Sequence, residues 1–339
     1  MSLARSLAPC LMGAGCVRKV KSRINTSATR QSHLLARGSL ALAMTLVGSS
    51  VVSAKFMVEQ FPIFLGLGIR QVSATLIMFL IVLLAEKQLP RMAKRDHGII
   101  LLQTITGVVI FNVLMLAGVD RTTAAASGII TSTVPAWIAL LSLVLGERIS
   151  RLTMIGIGLA MGGVLVVNVA GGDGGSDRAS APLLGGVLVM GAVIGEALFT
   201  VCGKALAGRV TPLANCFMVC VYGSLMFLPI ALWQLPGFDF GTVAASGWIA
   251  LAWSAGPVMI GAFFLWFTGL KFVPANSAAV YTGLIPVSAL VCSAIFLGER
   301  IGWPHLAGMA CVVAAIVLVA RPDRTVMRLP GEVRVDARA

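Results

Sequence analysis

The sequence predicts an all-α integral membrane protein in which ten transmembrane helices form two inverted five-helix repeats. Three observations lead to this prediction. Of the 339 residues, 58% are hydrophobic and only 12% are Asp, Glu, Lys or Arg, whereas soluble chains contain roughly 25% charged residues. Ten apolar stretches are long enough to cross a bilayer. One five-residue motif occurs twice, in equivalent positions of the two halves.

The ten apolar windows come first, because a membrane-spanning helix needs about 20 mostly apolar residues. Most connections between the windows are only a few residues long, which leaves no room for a soluble catalytic domain. The windows are residues 38–56, 61–85, 98–118, 122–145, 151–169, 182–203, 212–234, 246–268, 274–297 and 302–320.

The basic residues predict the orientation of these spans. A net charge of +13 can indicate nucleic-acid binding, but Lys and Arg lie between the apolar windows and in the two tails. If the N-terminus lies inside, the inner segments hold 21 of the 26 basic residues and the outer segments hold four. Cytoplasmic loops are enriched in Lys and Arg. We therefore expect a multi-pass protein of a bacterial cytoplasmic membrane, with both termini in the cytoplasm and no nucleic-acid partner.

The repeated motif predicts the internal symmetry. Leu-Gly-Glu-Arg-Ile occurs at residues 145–149 and again at 297–301, and a mid-span proline precedes each copy, Pro135 and Pro286. Each half therefore has five helices, and an odd number forces the second half into the opposite orientation. This inverted-topology repeat is the architecture of many secondary transporters.

The repeat also divides the chain into segments. The first repeat is expected at residues 38–169, a glycine-rich linker at 170–181 and the second repeat at 182–320. Residues 1–37 contain seven basic residues and no acidic one. They are interpreted as a disordered cytoplasmic tail, with a transit peptide as the alternative. Residues 321–339 form the cytoplasmic C-terminal tail.

In these features the chain resembles the drug/metabolite transporter superfamily and, within it, the EamA-type family. The resemblance rests on the two five-helix repeats, the proline followed by Leu-Gly-Glu-Arg in spans four and nine, and the Pro62 to Arg70 opening of span two. It covers about residues 38–322. It implies a basket of helices around a central cavity that opens alternately to either side, and transport of small metabolites such as amino acids.

Two ionisable residues within the spans are the principal candidates for function, because burying such a group costs at least about 2.5–3.5 kcal/mol. Glu196 lies deep in span six and suits proton coupling or substrate contact. The alternative is a protonated carboxyl that joins two helices by hydrogen bonds. Arg70 in span two suits binding of a substrate carboxylate or pairing with Glu196. Alternatively, its long stem lets it reach the outer interface.

The two mid-span prolines indicate further candidates. Each removes one helix hydrogen bond, and open backbone at mid-membrane is tolerated only beside protein or a water-filled cavity. This reasoning places four residues near the expected path, unless Pro135 and Pro286 only kink their helices for packing: Thr131, Ser132, Tyr281 and Thr282. The weaker candidates are Asn112, Asn276, Trp253 and Trp266.

The remaining polar and small residues are given structural roles. The charged residues of the repeated motif are expected to form salt-linked helix ends: Glu147, Arg148, Glu299 and Arg300. Lys55 and Lys204 are expected to anchor at the interface, and Gly158 and Gly162 to permit close helix approach. The three histidines are assigned to tails or loops and the cysteines to packing, so we expect no metal site and no cofactor.

These observations favour a secondary active transporter, namely a proton-driven exporter of small metabolites such as amino acids or drugs. An exchanger of phosphorylated or nucleotide-linked solutes is the alternative, but it would need several basic residues in the cavity. A passive channel or other non-transport protein fits an inverted repeat less well. An intramembrane enzyme is disfavoured because the spans offer no catalytic Ser–His, paired-Asp or metal set. The expected partners are the bilayer, a small solute and protons, and the sequence leaves the oligomeric state open.

Overall fold

The computed structural model describes residues 14–119, 121, 127, 130–171, 181–297 and 302–320, and it describes the side chains of the first helix from Leu34 onward. Nearly all of these residues are helical. The described ranges contain no β-strand, and only an isolated bridge joins Ala207 to Val210. The all-α prediction is confirmed. Residues 1–13 of the N-terminal tail, most of the linker and the whole C-terminal tail lie outside the described residues.

The α-helices that are fully described in the first half are six in number. They are α1 (Ala14–Gln60), α2 (Ile63–Glu86), α3 (Lys94–Thr104), α4 (Phe111–Val119), α5 (Val134–Ser142) and α6 (Arg151–Gly171). A π-helical segment, π1 (Ile105–Ile110), joins α3 to α4. Pro62 precedes the first residue of α2, where its missing N–H removes no helix hydrogen bond.

In the second half, the described residues form seven α-helices. They are α7 (Pro182–Leu206), α8 (Pro212–Gln234), α9 (Ala245–Trp253), α10 (Phe263–Phe272), α11 (Ala275–Ala279), α12 (Leu284–Leu297) and α13 (Trp303–Ala320). A second π-helical segment, π2 (Ser254–Ala262), joins α9 to α10. A 3-10 segment, Val280–Gly283, joins α11 to α12.

Seven helical stretches are long and apolar enough to cross a membrane. They are Leu34–Gln60, Ile63–Glu86, Lys94–Gly118, Leu183–Leu206, Pro212–Gln234, Ala245–Phe272 and Ala275–Phe296. Three shorter apolar helices fall within the fourth, fifth and tenth predicted windows: Val134–Leu145, Arg151–Val166 and Trp303–Val319. All ten windows therefore contain apolar helix, and seven of them reach full spanning length within the described residues.

The two halves use their helices in the same way. Helix α7 packs along α3, π1, α4 and α5, and helix α1 packs along α9, π2, α10 and α12. The remaining long helices form two pairs across the halves, α2 with α8 and α6 with α13. The first helix of each half therefore lies against the third and fourth spans of the other half.

Glycines from both sides bring α7 close to the π1 region. A Cβ atom at Gly195 would lie 2.6 Å from the carbonyl oxygen of Thr106, and one at Gly107 would overlap the side chain of Phe199. A Cβ at Gly118 would likewise lie 2.7 Å from Val189. We call this contact the glycine seam, and it leaves no room for side chains at these positions.

The glycines predicted to permit close helix approach in α6 are the wrong ones. A Cβ at Gly158 or Gly162 would have no atom within 4 Å. The close contact is made instead by Gly163, where a Cβ would lie 2.7 Å from the carbonyl oxygen of Gly308 in α13. A spacing of four residues identifies a helix face, but it does not identify which face meets the neighbouring helix.

Polar contacts between loops define the two ends of the bundle. At one end, the Arg209 guanidinium lies 3.4 Å from the Asp96 carboxylate, and the Thr211 hydroxyl donates to Glu86. We call this the inner end, following the charge-based prediction. At the other end, here the outer end, the Gln60 side chain accepts a hydrogen bond from the Ala244 N–H.

Two of the histidines assigned to loops lie in helices, so that expectation is wrong for them. His97 belongs to α3, and its Nδ1 lies 2.7 Å from the Tyr222 hydroxyl of α8. His305 belongs to α13, where its Nδ1 accepts from the Gly302 N–H at 3.0 Å. Each imidazole thus has one polar contact through Nδ1, whereas the buried Nε2 of His305 has no partner among the described residues.

The glycine seam gives a first prediction. We expect Gly195→Ala to lower the free energy of unfolding by about 1–3 kcal/mol, because the new methyl group meets backbone that cannot move aside. Gly158→Ala is the matched control, since it adds the same methyl group in open space and alanine favours helix by up to about 1 kcal/mol. Thermal unfolding of the detergent-purified variants measures both. Equal stabilities would contradict the seam.

Candidate functional site

Glu196 lies near the middle of α7. It is 14 residues from Pro182 and ten from Leu206, or about 21 Å and 15 Å from the two helix ends at 1.5 Å per residue. Most of its neighbours along the helix are buried, among them Val193 and Ala197, yet the Glu196 side chain is partly exposed. Glu196 therefore interrupts a mostly buried stretch of α7 with a partly exposed ionisable side chain.

Irregular backbone surrounds Glu196. One residue earlier, Gly195 lies against the Thr106 carbonyl of π1. Val193 and Ala197 pack in one cluster with residues of α5 and α11, next to the two helix breaks. Phe199 packs against Phe263 with tilted rings, at a ring-centroid distance of 5.2 Å. Glu196 therefore lies where π1 and both broken spans meet α7.

The Glu196 carboxylate has no hydrogen bond and no ion pair with any of the described residues. A carboxyl that joined two helices by hydrogen bonds would need such a partner. The described residues therefore show no hydrogen-bonded link between two helices at Glu196.

Arg70 occupies α2, seven residues or about 10 Å from the outer end of that helix. Its side chain is partly exposed, its Nε is buried without an acceptor, and the Cys220 thiol of α8 is near it. It forms no ion pair with Glu196, so pairing between these two residues is not observed. Two opposite charges thus lie within the bundle, each without a partner charge among the described residues.

The two mid-span prolines lie just after irregular or 3-10 backbone. Pro135 lies in the first turn of α5, so its missing N–H removes no intrahelical bond. Pro286 is the third residue of α12 and follows the 3-10 segment within the continuous helical stretch Ala275–Phe296. Thr131 and Ser132 lie in the irregular segment before α5, and Tyr281 and Thr282 lie in the 3-10 segment before α12.

The weaker candidates are used in packing and local hydrogen bonds. The Asn112 side chain donates to the Val108 carbonyl at 2.5 Å, and the Trp253 indole donates to Ser49 at 3.0 Å. Trp266 is buried in the main core. Asn276 lies at the inner end, where its amide donates to the Arg148 carbonyl at 3.4 Å.

The described copy of the repeated motif caps a helix instead of forming a local salt link. The Glu147 carboxylate accepts from the Ala275 N–H at 2.8 Å and the Asn276 N–H at 3.1 Å. It forms no ion pair with Arg148 within the described ranges. Glu299 and Arg300 of the second copy lie outside the described residues.

Sequence reasoning did not predict the surroundings of three polar residues. Lys204, expected as an interface anchor, instead hydrogen-bonds to α10. Gln71 and Gln103 are fully buried, and their amide atoms have no partner among the described residues. The available signal was polarity inside an apolar window, because both glutamines lie within predicted spans. Lys55, in contrast, is exposed as an interface residue would be.

Two cavities are found at the inner end of the bundle. The larger has a volume of about 120 Å³ and is lined by residues that include Arg37, Ser277 and Tyr281. The smaller has a volume of only about 10 Å³ and is lined by residues that include Gly203, Asn215 and Lys271. Glu196 and Arg70 line neither cavity, so of the candidates for the path only Tyr281 borders one of them.

Comparison with known proteins now identifies the family. The sequence model of the EamA-like transporter family matches the chain twice, over residues 36–169 and 183–321. The chain belongs to the EamA-like transporter family. Within the drug/metabolite transporter superfamily, this EamA-like chain is 40% identical to the uncharacterized transporter YetK of Bacillus subtilis strain 168. That alignment covers 82% of this chain and 84% of YetK.

Two further comparisons concern a second relative and a solved structure. The EamA-like chain is 27% identical to the "Probable terminal-alkyne amino-acid exporter" of Streptantibioticus cattleyicolor, over 67% of this chain and 74% of that protein. It also superposes on a crystal structure with a TM-score of 0.68 at 17% identity, covering 82% of this chain and 94% of the other. The second likeness supports the fold alone.

The Glu196 carboxylate has no protein partner among the described residues, and this gives a second prediction. We expect Glu196→Gln to leave the EamA-like protein as stable as the parent, or more stable, because it removes an ionisable group from a partly desolvated position without breaking a hydrogen bond. The unfolding temperature in detergent measures this. A large loss of stability would instead favour a carboxyl that ties helices together.

Proposed function

We propose that this protein is a secondary active transporter that exports small amino-acid-like metabolites across a bacterial cytoplasmic membrane, driven by protons. One observation carries the proposal. Arg70 and Glu196 are opposite charges inside the helix bundle, and each lacks a protein partner among the described residues. Membership of a transporter family explains why such costly groups are retained.

Arg70 is proposed to bind the substrate carboxylate. A guanidinium presents planar donors that match a carboxylate with two parallel hydrogen bonds. Because the Arg70 Nε is buried without an acceptor, a bound carboxylate would remove the cost of leaving that donor unpaired. The name of the relative from Streptantibioticus cattleyicolor supports an amino acid as the substrate class.

Glu196 is proposed to couple transport to protons. Its carboxyl lies at mid-bundle beside π1 and the breaks that precede α5 and α12, where backbone geometry departs from α-helix. π-helical segments inside α-helices occur frequently at functional sites. A carboxyl in this position can bind a proton in one conformation and release it in another.

The contacts between the two halves support alternating access through ten spans in an inverted repeat. The α1 contacts in the second half have counterparts in the α7 contacts in the first half. The third span of each half contains a π-helical segment. In the fourth span of each half, an α-helix begins near a proline. The proposal includes cytoplasmic termini, as the distribution of Lys and Arg favours.

Counterflow in liposomes tests the transport proposal directly. Liposomes that contain the reconstituted protein would be loaded with one unlabelled amino acid of a panel at a time. Uptake of the same compound in labelled form would then be measured, with and without a pH gradient. Saturable, gradient-sensitive uptake of an amino acid is the expected result. Sugar phosphates and nucleotide sugars belong in the same panel, and uptake of those compounds alone would favour the exchanger.

A third prediction concerns proton coupling. We expect Glu196→Gln to abolish the stimulation of uptake by a pH gradient while the protein stays folded, because the amide cannot carry a proton. Glu86→Gln is the matched control, since Glu86 lies at the inner end and accepts from Thr211. Unchanged pH dependence in Glu196→Gln would remove this residue from the mechanism.

A fourth prediction concerns substrate binding. We expect Arg70→Gln to raise the KM for the transported amino acid roughly 10- to 100-fold, because a hydrogen bond to a charged group contributes about 1.5–3 kcal/mol. Arg151→Gln, at an exposed position at the start of α6, should leave the KM unchanged. Equal KM values for all three proteins would show that Arg70 does not contact the substrate.

A further inference from the structure

Lys204 joins α7 to the end of α10. Its Nζ donates to the carbonyl oxygens of Leu270 and Val273, both at 2.8 Å. These carbonyls belong to the C-terminal turn of α10, which ends at Phe272. A cation is favourable there because the helix dipole places partial negative charge on the last carbonyl groups.

Glu147 makes the complementary contact on the other side of the same turn. It lies between α5 and α6, and its two carboxylate oxygens accept from the first two N–H groups of α11, those of Ala275 and Asn276. An anion is favourable at this end because the first N–H groups of a helix have no intrahelical acceptor.

Only residues 273 and 274 separate the two helix ends. We call Lys204, Glu147 and this turn the inner clamp. The clamp connects three parts of the chain: α7, the α5–α6 connection and the α10–α11 turn. The charges of Lys204 and Glu147 also attract each other. These contacts hold together elements that must separate if the inner end is to open.

The clamp lies in line with Glu196. Residues four apart on a helix share one face, so Glu196, Thr200 and Lys204 follow one another along α7. Lys204 is eight residues, or about 12 Å, from Glu196 toward the inner end. Thr200, between them, is buried with 2% of its surface exposed. A solute moving from Glu196 to the inner end along this face would meet the clamp.

We propose that the inner clamp is the gate that closes the inner end of the transport path, with Lys204 and Glu147 as its positioning residues. This proposal rests on the proposed transport function and adds the residues that control access to it. In the present conformation the gate is closed. Opening it requires Lys204 to leave the two carbonyl oxygens and Glu147 to leave the two N–H groups.

Accessibility of residue 200 tests the gate without any substrate. In a protein whose seven native cysteines are replaced by serine or alanine, the Thr200→Cys variant would be labelled with a charged, membrane-impermeant thiol reagent. Labelling would be followed from each face of sealed membrane vesicles. Lys271→Cys, at an exposed position near the inner end, marks which face is the inner one.

We expect slow labelling of the Thr200→Cys variant when the clamp is intact. Adding Lys204→Met or Glu147→Gln should raise the labelling rate from the inner face roughly tenfold, because each removes charge-assisted hydrogen bonds that favour the closed state. Lys204→Arg keeps the charge and the donors and should stay near the slow rate. Lys271→Met and Glu86→Gln are the matched controls and should also label slowly.

An unchanged rate with both Lys204→Met and Glu147→Gln, with each protein eluting as a single folded species, would overturn the gate. If Lys204→Met fails to fold, Glu147→Gln alone decides, because it keeps the side-chain shape and removes the charge and one of the two acceptor oxygens. The labelling result can be distinguished from a failure of the transport proposal. Faster labelling without flux of any compound supports the gate alone, and flux with unchanged labelling supports transport without this gate.

Discussion

The hydrocarbon interior of a membrane offers no hydrogen bonds, and every irregular backbone segment of this protein has to be compatible with that constraint. The helices depart from α geometry at π1, at π2, before α5 and before α12. Helix α7 packs along π1 and α5, and helix α1 packs along π2 and α12. The first helix of each half therefore covers the places where the other half departs from α geometry, and Glu196 of α7 lies beside such a place.

The same constraint explains how helices end. At the outer end, Gln234 accepts from the Leu65 N–H of α2 at 2.9 Å, and Gln60 accepts from Ala244 before α9 at 2.8 Å. At the inner end, Glu147 and Lys204 satisfy the ends of α11 and α10. In each case the side chain comes from a different span. Satisfying a helix end thus also ties two spans together, and charged partners at the inner end make that tie stronger than amides do.

The sequence was sufficient for the helical class and the family, because both depend on patterns repeated over many residues. It also placed Glu196 and Arg70 within helices, since an ionisable residue in an apolar window is conspicuous. The predictions failed for residues whose role depends on a partner that is distant in the sequence. Glu147 looked like half of a salt link with Arg148, but its acceptor oxygens are used 128 residues away, at Ala275. Lys204 resembled an interface anchor for the same reason.

The packing glycines show the same limit, because spacing gives a helix face but not its neighbour. Gly158 and Gly162 have the expected spacing and no neighbour, whereas Gly195 is in close contact with Thr106.

The glycine seam also determines how freely the sequence can vary. Along α7, replacements at Gly195 meet backbone, whereas Leu183, at 84% exposure, projects away from the bundle. A saturation-mutagenesis library selected for membrane insertion would therefore keep glycine along one stripe of this helix and accept nearly any apolar residue on the opposite stripe.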